Sequence, residues 1–206
     1  MCKRLLLILS CAALSACTLI KPPAAVSMQS YVLELPTTGH PAPVPAVQGA
    51  ALVVAELRAR AGYDTPRMAY VKRGYTLDYY ANNQWADTPA RMLQPLLVSA
   101  LESTGRYSAV VRAPATVTAG LRLDAEIVRL EQVFTVHPSH MRFSLRVLLI
   151  DARKGSVLGQ HVFDADVPAT SDDAYGGVQA LNQALRILLN DVAAYCVTLT
   201  PATDSP

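Results

Sequence analysis

The residue in this chain best placed to do chemistry is a thiol. Cys17 follows Leu14-Ser15-Ala16 at the end of a leader in which Lys3 and Arg4 precede an apolar run over residues 5–14. A positive start, a short apolar stretch and small residues before the cut are the marks of a secretory leader. A cysteine directly after such a cut can take diacylglycerol on its thiolate before cleavage and an acyl chain such as palmitate on the new amino group afterwards. The pattern therefore predicts cleavage between Ala16 and Cys17, with N-acyl and S-diacylglycerol groups on Cys17 and no other cofactor. The apolar run is well short of the ~20 residues that a spanning helix needs, so it reads as a lipoprotein leader and not as a transmembrane anchor.

Other reactive side chains occur in poorer settings. His137-Pro138-Ser139-His140 carries two imidazoles that can ligate a metal, but Pro138 forbids a helix that would put both on one face, and no thiol or carboxylate lies beside them. A solvated hairpin loop explains them better. His161 falls between Gly159 and Phe163 in the inward phase of a strand, the position of a hydrogen-bonded core histidine. Asp172-Asp173 fit helix capping. Gly176-Gly177 lack the lysine and further glycines of a phosphate loop, and no G-x-S-x-G elbow is present. With no catalytic residue and no metal set to nominate, the chain reads as a non-enzyme.

Loss of the leader takes Lys3 and Arg4 with it, so 18 basic residues become 16 against 16 acidic ones in a mature chain of 190 of the 206 residues. A neutral chain of that length suits one domain and has no electrostatic reason to bind nucleic acid. Cys2 and Cys11 leave with the leader and Cys17 is acylated, which makes Cys196 the sole free thiol and excludes an internal disulfide. The organisation expected is a signal peptide over 1–16, an acylated tether over 17–29, a single domain over 30–199, and a polar, proline-containing tail over 200–206.

Within the domain, residues 31–35 read as a short strand, and Pro41, Pro43 and Pro45 make 37–48 a loop. Residues 51–60 read as one strand, and 68–71 and 75–80 as a hairpin pair whose turn has Gly74 available for positive φ. A helix capped by Asp87 or Thr88, with Pro89 in its first turn, ends before Gly105; Pro95 predicts a kink, or a start near Gln94. Residues 107–112 form a short strand. Residues 121–136 form a long one whose apolar residues change from odd (Leu121, Leu123, Ala125, Ile127) to even positions, which predicts a β-bulge near Ile127-Val128. Met141, Phe143, Leu145, Val147 and Leu149 alternate cleanly, and Asp151-Ala152-Arg153-Lys154-Gly155 turns the chain into a strand over 157–167. Asp172 or Asp173 then caps a helix with Val178, Leu181, Leu185, Leu188, Val192 and Tyr195 on one stripe; so apolar a helix needs cover on more than one side, from its own sheet with a partner as one option for the rest. The fold class is α+β, a mixed or antiparallel sheet of about six strands with two principal helices against it.

Tyr75, Tyr79, Tyr80 and Trp85 fall within eleven residues of a chain with nine tyrosines and one tryptophan. Adjacent Tyr79 and Tyr80 face opposite sides of a strand, so at least one reaches a second layer or a partner surface, where aromatic anchors concentrate binding energy. The run Tyr75-Thr76-Leu77-Asp78-Tyr79-Tyr80-Ala81-Asn82-Asn83-Gln84-Trp85-Ala86, preceded by Arg67-Met68-Ala69-Tyr70 and followed by the helix, resembles the signature region of the ABC-type transport auxiliary lipoproteins. In two places the chain departs from that pattern: Val71 directly follows Tyr70 where a basic residue is common, and Pro95 stands inside the helix.

The resemblance implies a non-catalytic, lipid-anchored subunit on the periplasmic face of the outer membrane, serving an MCE-type, or paraquat-inducible, intermembrane lipid transport system. It implies a periplasmic MCE protein as direct partner, an inner-membrane ABC permease and ATPase as indirect ones, and homo-oligomers. It also makes Tyr70, Tyr79, Tyr80, Trp85 and Arg91 motif residues and a partner surface. The alternatives are an assembly or plug lipoprotein similar to the lipopolysaccharide-assembly lipoprotein and, third, a periplasmic lipoprotein enzyme.

Overall fold

The computed structural model describes residues 27–35, 49–115 and 118–201. The leader, Cys17, most of the tether, the loop over 37–48 and the last five residues lie outside them. The described chain forms β1 (Gln29–Tyr31), β2 (Leu52–Val54), β3 (Arg58–Ala59), β4 (Arg67–Val71), β5 (Asp78–Trp85), α1 (Pro89–Glu102), β6 (Val110–Arg112), β7 (Leu121–Val133), β8 (His140–Asp151), β9 (Ser156–Pro168) and α2 (Ala174–Leu199). The class is α+β with a mixed sheet. Among the described residues there are nine strands where about six are expected: each of the eight segments read as strands pairs into this sheet, and the one over 51–60 divides into β2 and β3.

Strand β7 is the spine. Along one side it pairs antiparallel with β8 over nearly its whole length, and β9 continues from β8. Along the other side three short strands pair parallel with it in succession: β2 at Leu121–Leu123, β3 at Glu126–Ile127 and β4 at Glu131–Val133. Beyond these, β6 lies parallel to β2, β5 antiparallel to β4, and β1 parallel to β5. The single strand expected over 51–60 is thus two strands interrupted at residues 55–57. At the break Ala55 N–H donates to Leu123 O at 2.9 Å, while its carbonyl accepts from Gln94 Nε2 on α1, also at 2.9 Å.

The register shift of β7 lies between Ile127 and Arg129, where the change of apolar phase puts it. It lets Leu121, Leu123, Ala125 and Ile127 before the slip, and Leu130 and Gln132 after it, face the same buried layer. All five alternating residues of β8 are buried.

Helix α1 begins at Pro89, not Gln94, and continues through Pro95. Pro95 is exposed, and the carbonyl it deprives of a donor belongs to exposed Arg91, where water can serve instead. The Asp87 carboxylate accepts from Thr88 N–H at 2.7 Å at its entrance, and Gly105, at φ 63°, follows its end. In the β4–β5 turn positive φ falls on Tyr75, at 65°, and not on Gly74. The strand expected over 31–35 lies earlier, at Gln29–Tyr31; after it the chain leaves the sheet and Glu34 N–H donates to Asn182 Oδ1 of α2 at 3.1 Å.

Helix α2 is capped by Asp173, whose carboxylate accepts from Gly176 N–H at 2.8 Å. It packs on β8, β9 and α1. Val178, Leu181, Leu185, Leu188 and Val192 are buried, so the helix finds its cover within its own domain and leaves a mostly polar outer stripe through Gln179, Gln183, Arg186 and Asn190. Thr200, read from sequence as the start of a tail, is buried, with its hydroxyl donating to Cys196 O at 2.8 Å and lying 3.3 Å from the Tyr107 hydroxyl.

Candidate functional site

The signature tyrosines lie where β5 and β4 meet the start of α2. Tyr80 and Tyr70 are on the helix-bearing face with their rings edge-on at 4.9 Å, and Phe134 lies 6.0 Å from Tyr70. The Tyr80 hydroxyl donates to Gln132 Oε1 at 2.9 Å, and Gln132 Nε2 donates to Ser139 Oγ at 2.8 Å. Ser139 N–H then donates to Asp172 Oδ1 at 2.6 Å, while Asp172 Oδ2 lies 3.0 Å from His137 Nδ1. This chain of bonds ties the family motif to β7, to the β7–β8 loop and to the residue just before the α2 cap.

Electrostatics follow from those partners. Burial raises the Tyr80 phenol above its ordinary range, and Asp173, Tyr70 and Tyr31 add to the rise. The Ser139 N–H, the His137 ring and the Ser139 hydroxyl hold the Asp172 carboxyl down at about 2. A serine, a histidine and an aspartate do meet here, but both partners bind the carboxylate and the serine is fully buried. A nucleophilic triad needs the base on the hydroxyl; this trio is a loop clamp.

Tyr79, on the opposite face, donates its hydroxyl to Gly62 O at 2.9 Å and lies under the Arg67 guanidinium at 3.9 Å. Beside it Tyr63 donates to Glu131 Oε2 at 2.5 Å, and burial, then that bond, raises the Tyr63 phenol. Tyr79 and Glu131 therefore fasten the connection between β3 and β4 to the sheet. Trp85, expected on a partner surface, is only 2% exposed and belongs to the core. Arg91 is largely exposed, paired with Asp87 at 3.4 Å on α1. Of the five motif residues, the fold thus brings only Tyr70 and Tyr80 into ring contact.

His137 and His140 have carboxylate partners. His140 Nδ1 lies 2.6 Å from Asp166 Oδ1, and Arg142 Nε donates to Asp166 Oδ2 at 3.0 Å. Partial burial pushes the Asp166 carboxyl up, but the bonds from His140 and Arg142 outweigh it and the net shift is downward. Among the described residues no three His, Cys, Asp or Glu side chains converge as a metal site. His161 is exposed, contrary to the expected core position, because β9 is the outer strand; its ring packs 4.7 Å from Phe163 and 5.4 Å from Tyr195 at the rim of α2.

On the other face of the sheet a groove of about 490 Å³ is lined by Arg58, Arg122 and Arg146 together with Glu56, Asp124 and Glu126. Four of these six charges are paired, Arg122 with Asp124 and Arg146 with Glu126, each at 2.7 Å. Gln132, the hub of the bond network, escaped sequence reasoning, although an amide in the inward phase of an apolar strand was its signal.

The sequence profile described as ABC-type transport auxiliary lipoprotein component matches residues 31–193, a span that holds every one of the motif residues. The chain belongs to this family. Among solved structures, auxiliary-lipoprotein residues here superpose on protein XCC0632 from Xanthomonas campestris at TM-score 0.70, with 24% identity over 83% of this chain and 96% of that one. An uncharacterized protein gives TM-score 0.64 at 17% identity, covering 82% and 98%, and the hypothetical protein CT253 from Chlamydia trachomatis gives 0.51 at 12%, covering 73% and 97%. These likenesses establish a shared fold. No curated protein matches the chain. Among the described residues of this auxiliary lipoprotein, no helix is long and apolar enough to cross a membrane.

Proposed function

We infer that this auxiliary lipoprotein is the non-catalytic outer-membrane subunit of an MCE/ABC-type intermembrane lipid transport system. Held on the periplasmic face by acyl groups on Cys17, it docks the periplasmic MCE conduit, while an inner-membrane permease and ATPase supply the energy. The observation that carries this reading is the conjunction of the family match over 31–193 with the Leu14-Ser15-Ala16-Cys17 motif upstream of it. Thr18 after the cysteine, in place of an aspartate, fits release to the outer membrane by the sorting rule of enteric bacteria. Of the motif residues, Arg91 alone keeps a largely exposed side chain, so direct contact with a protein partner is assigned there and the tyrosines act through the fold they hold together. Affinity purification of the tagged, full-length protein from gently solubilised membranes tests the reading. An MCE protein should co-purify and be lost or reduced with Arg91→Glu; recovery of the lipoprotein with outer-membrane assembly machinery instead would replace this reading with the plug alternative.

A further inference from the structure

We propose that the end of the domain at which the tether enters rests on the bilayer through an apolar, aromatic rim, so that the protein is held by a second lipid contact besides its acyl chains. The inference rests on the lipoprotein reading above. Four exposed apolar side chains mark this end: Met28 (53% exposed), Val32 (43%), Val136 (43%) and Tyr175 (56%). They are joined through their chain neighbours and two contacts between those neighbours. Val32 directly follows Tyr31 and Met28 precedes it by three residues, and the Tyr31 ring lies 6.4 Å from that of Tyr175. The loop bearing Val136 is clamped to the start of α2 by His137 and Asp172 at 3.0 Å, three residues before Tyr175. Half-buried Tyr80, Tyr70 and Phe134 continue the aromatic surface, with the Lys72 ammonium 5.0 Å from the Tyr70 ring centre.

Single exposed apolar residues need no explanation, but a linked set of them does. Tyrosine rings with a lysine at their margin suit the headgroup layer, where the ring body is apolar and the hydroxyl or ammonium stays wet. The bilayer is favoured over a protein partner by where the chain comes from. Met28 is eleven residues from Cys17, so at ~3.5 Å per residue the tether spans at most about 39 Å. The acyl chains therefore deliver this end, above any other, to the lipid surface, and a weak contact becomes effective when it is intramolecular.

The test uses the full-length acylated protein reconstituted into vesicles of phosphatidylethanolamine and phosphatidylglycerol carrying nitroxide-labelled lipid. A bimane fluorophore is placed on Tyr175→Cys or, as the control, on Asn190→Cys, which is exposed on the same helix about 22 Å further along; Cys196 is buried and stays unlabelled in the native protein. Quenching at position 175 should be several-fold stronger than at 190, and it should fall when Met28→Ser and Val32→Ser are added. Equal quenching at both positions, in protein that mass spectrometry shows to be acylated and that floats with the vesicles, overturns this inference and leaves the lipoprotein reading intact. Unacylated Cys17 overturns both. A photo-crosslinker at position 175 that yields a protein adduct in cells, in place of a lipid adduct, assigns the rim to a protein and overturns the membrane contact.

Discussion

The hydroxyl of Tyr80 donates to Oε1 of Gln132 at 2.9 Å, joining two residues 52 apart in sequence and fixing the amide whose other end holds Ser139. Tyr80→Phe keeps the ring and removes only this donor, leaving a buried carbonyl oxygen unpaired at a cost of about 1–3 kcal/mol. Tyr79→Phe loses a bond to the Gly62 carbonyl in a connecting segment, for about 0.5–1.5 kcal/mol. Urea unfolding should therefore place the midpoint of Y80F below that of Y79F, with both below the wild type; the reverse order would show that the motif's weight lies on the other face of the sheet.

Gly177 is a glycine because α2 approaches β7 there: a Cβ would meet Gln132 Oε1 at 2.4 Å. Gly177→Ala must push the Gln132 amide out of its bonds to Tyr80 and Ser139, which outweighs the ~0.5–1 kcal/mol gained by alanine over glycine inside a helix, and should destabilise the domain by about 1–2 kcal/mol net. Gly74, with nothing within 4 Å of an added Cβ, is the control, and Gly74→Ala should stay within about 0.5 kcal/mol of the wild type. Thermal melts of the two variants check the contrast.

Asp172 is held at about 2 in the fold by the Ser139 N–H, the His137 ring and the Ser139 hydroxyl. A carboxyl whose folded value lies below its unfolded one, near 3.9, stabilises the protein above that unfolded value and loses the contribution as pH falls toward the folded one. The stability gap between wild type and Asp172→Asn should be constant near neutral pH and narrow between about pH 4 and pH 2. Denaturant midpoints across that range measure it; a gap that widens on acidification would contradict the clamp.

Burial alone pushes the Cys196 thiol up to about 12. At pH 8 a thiol-specific reagent should leave the folded mature protein unmodified and titrate a single thiol once guanidinium unfolds it. Cys17→Ala should abolish palmitate labelling and outer-membrane residence, since stable anchoring takes two or more acyl chains. Labelling that survives in Cys17→Ala would remove Cys17 as the acylation site.

Local sequence carried much of the fold. The odd-to-even change in β7 marks the bulge at Ile127 to Arg129, the five-residue alternation marks the buried face of β8, and Asp173 is the α2 cap. These features were legible because a side-chain period of two or 3.6, or a carboxylate beside free amides, leaves its trace within a few residues. The opposed faces of Tyr79 and Tyr80 follow from the same period.

What covers each face is a different matter. The alternation over residues 51–60 predicts one strand, but β2, β3 and β4 must share one side of β7 in turn, and parallel pairing between segments distant in sequence leaves no local pattern. The motif points Trp85 at a partner surface and the strand phase points His161 inward, yet the first is buried and the second stands exposed on the outer strand. The family motif and the acylation signal were thus determined by the sequence by itself, because each is a matter of residue type and spacing. The meeting of Tyr80, Gln132, Ser139 and Asp172, and the apolar rim through Met28 and Tyr175, were decided only by tertiary structure, since burial depends on which distant segment packs against a side chain and periodicity records only the direction in which that side chain points.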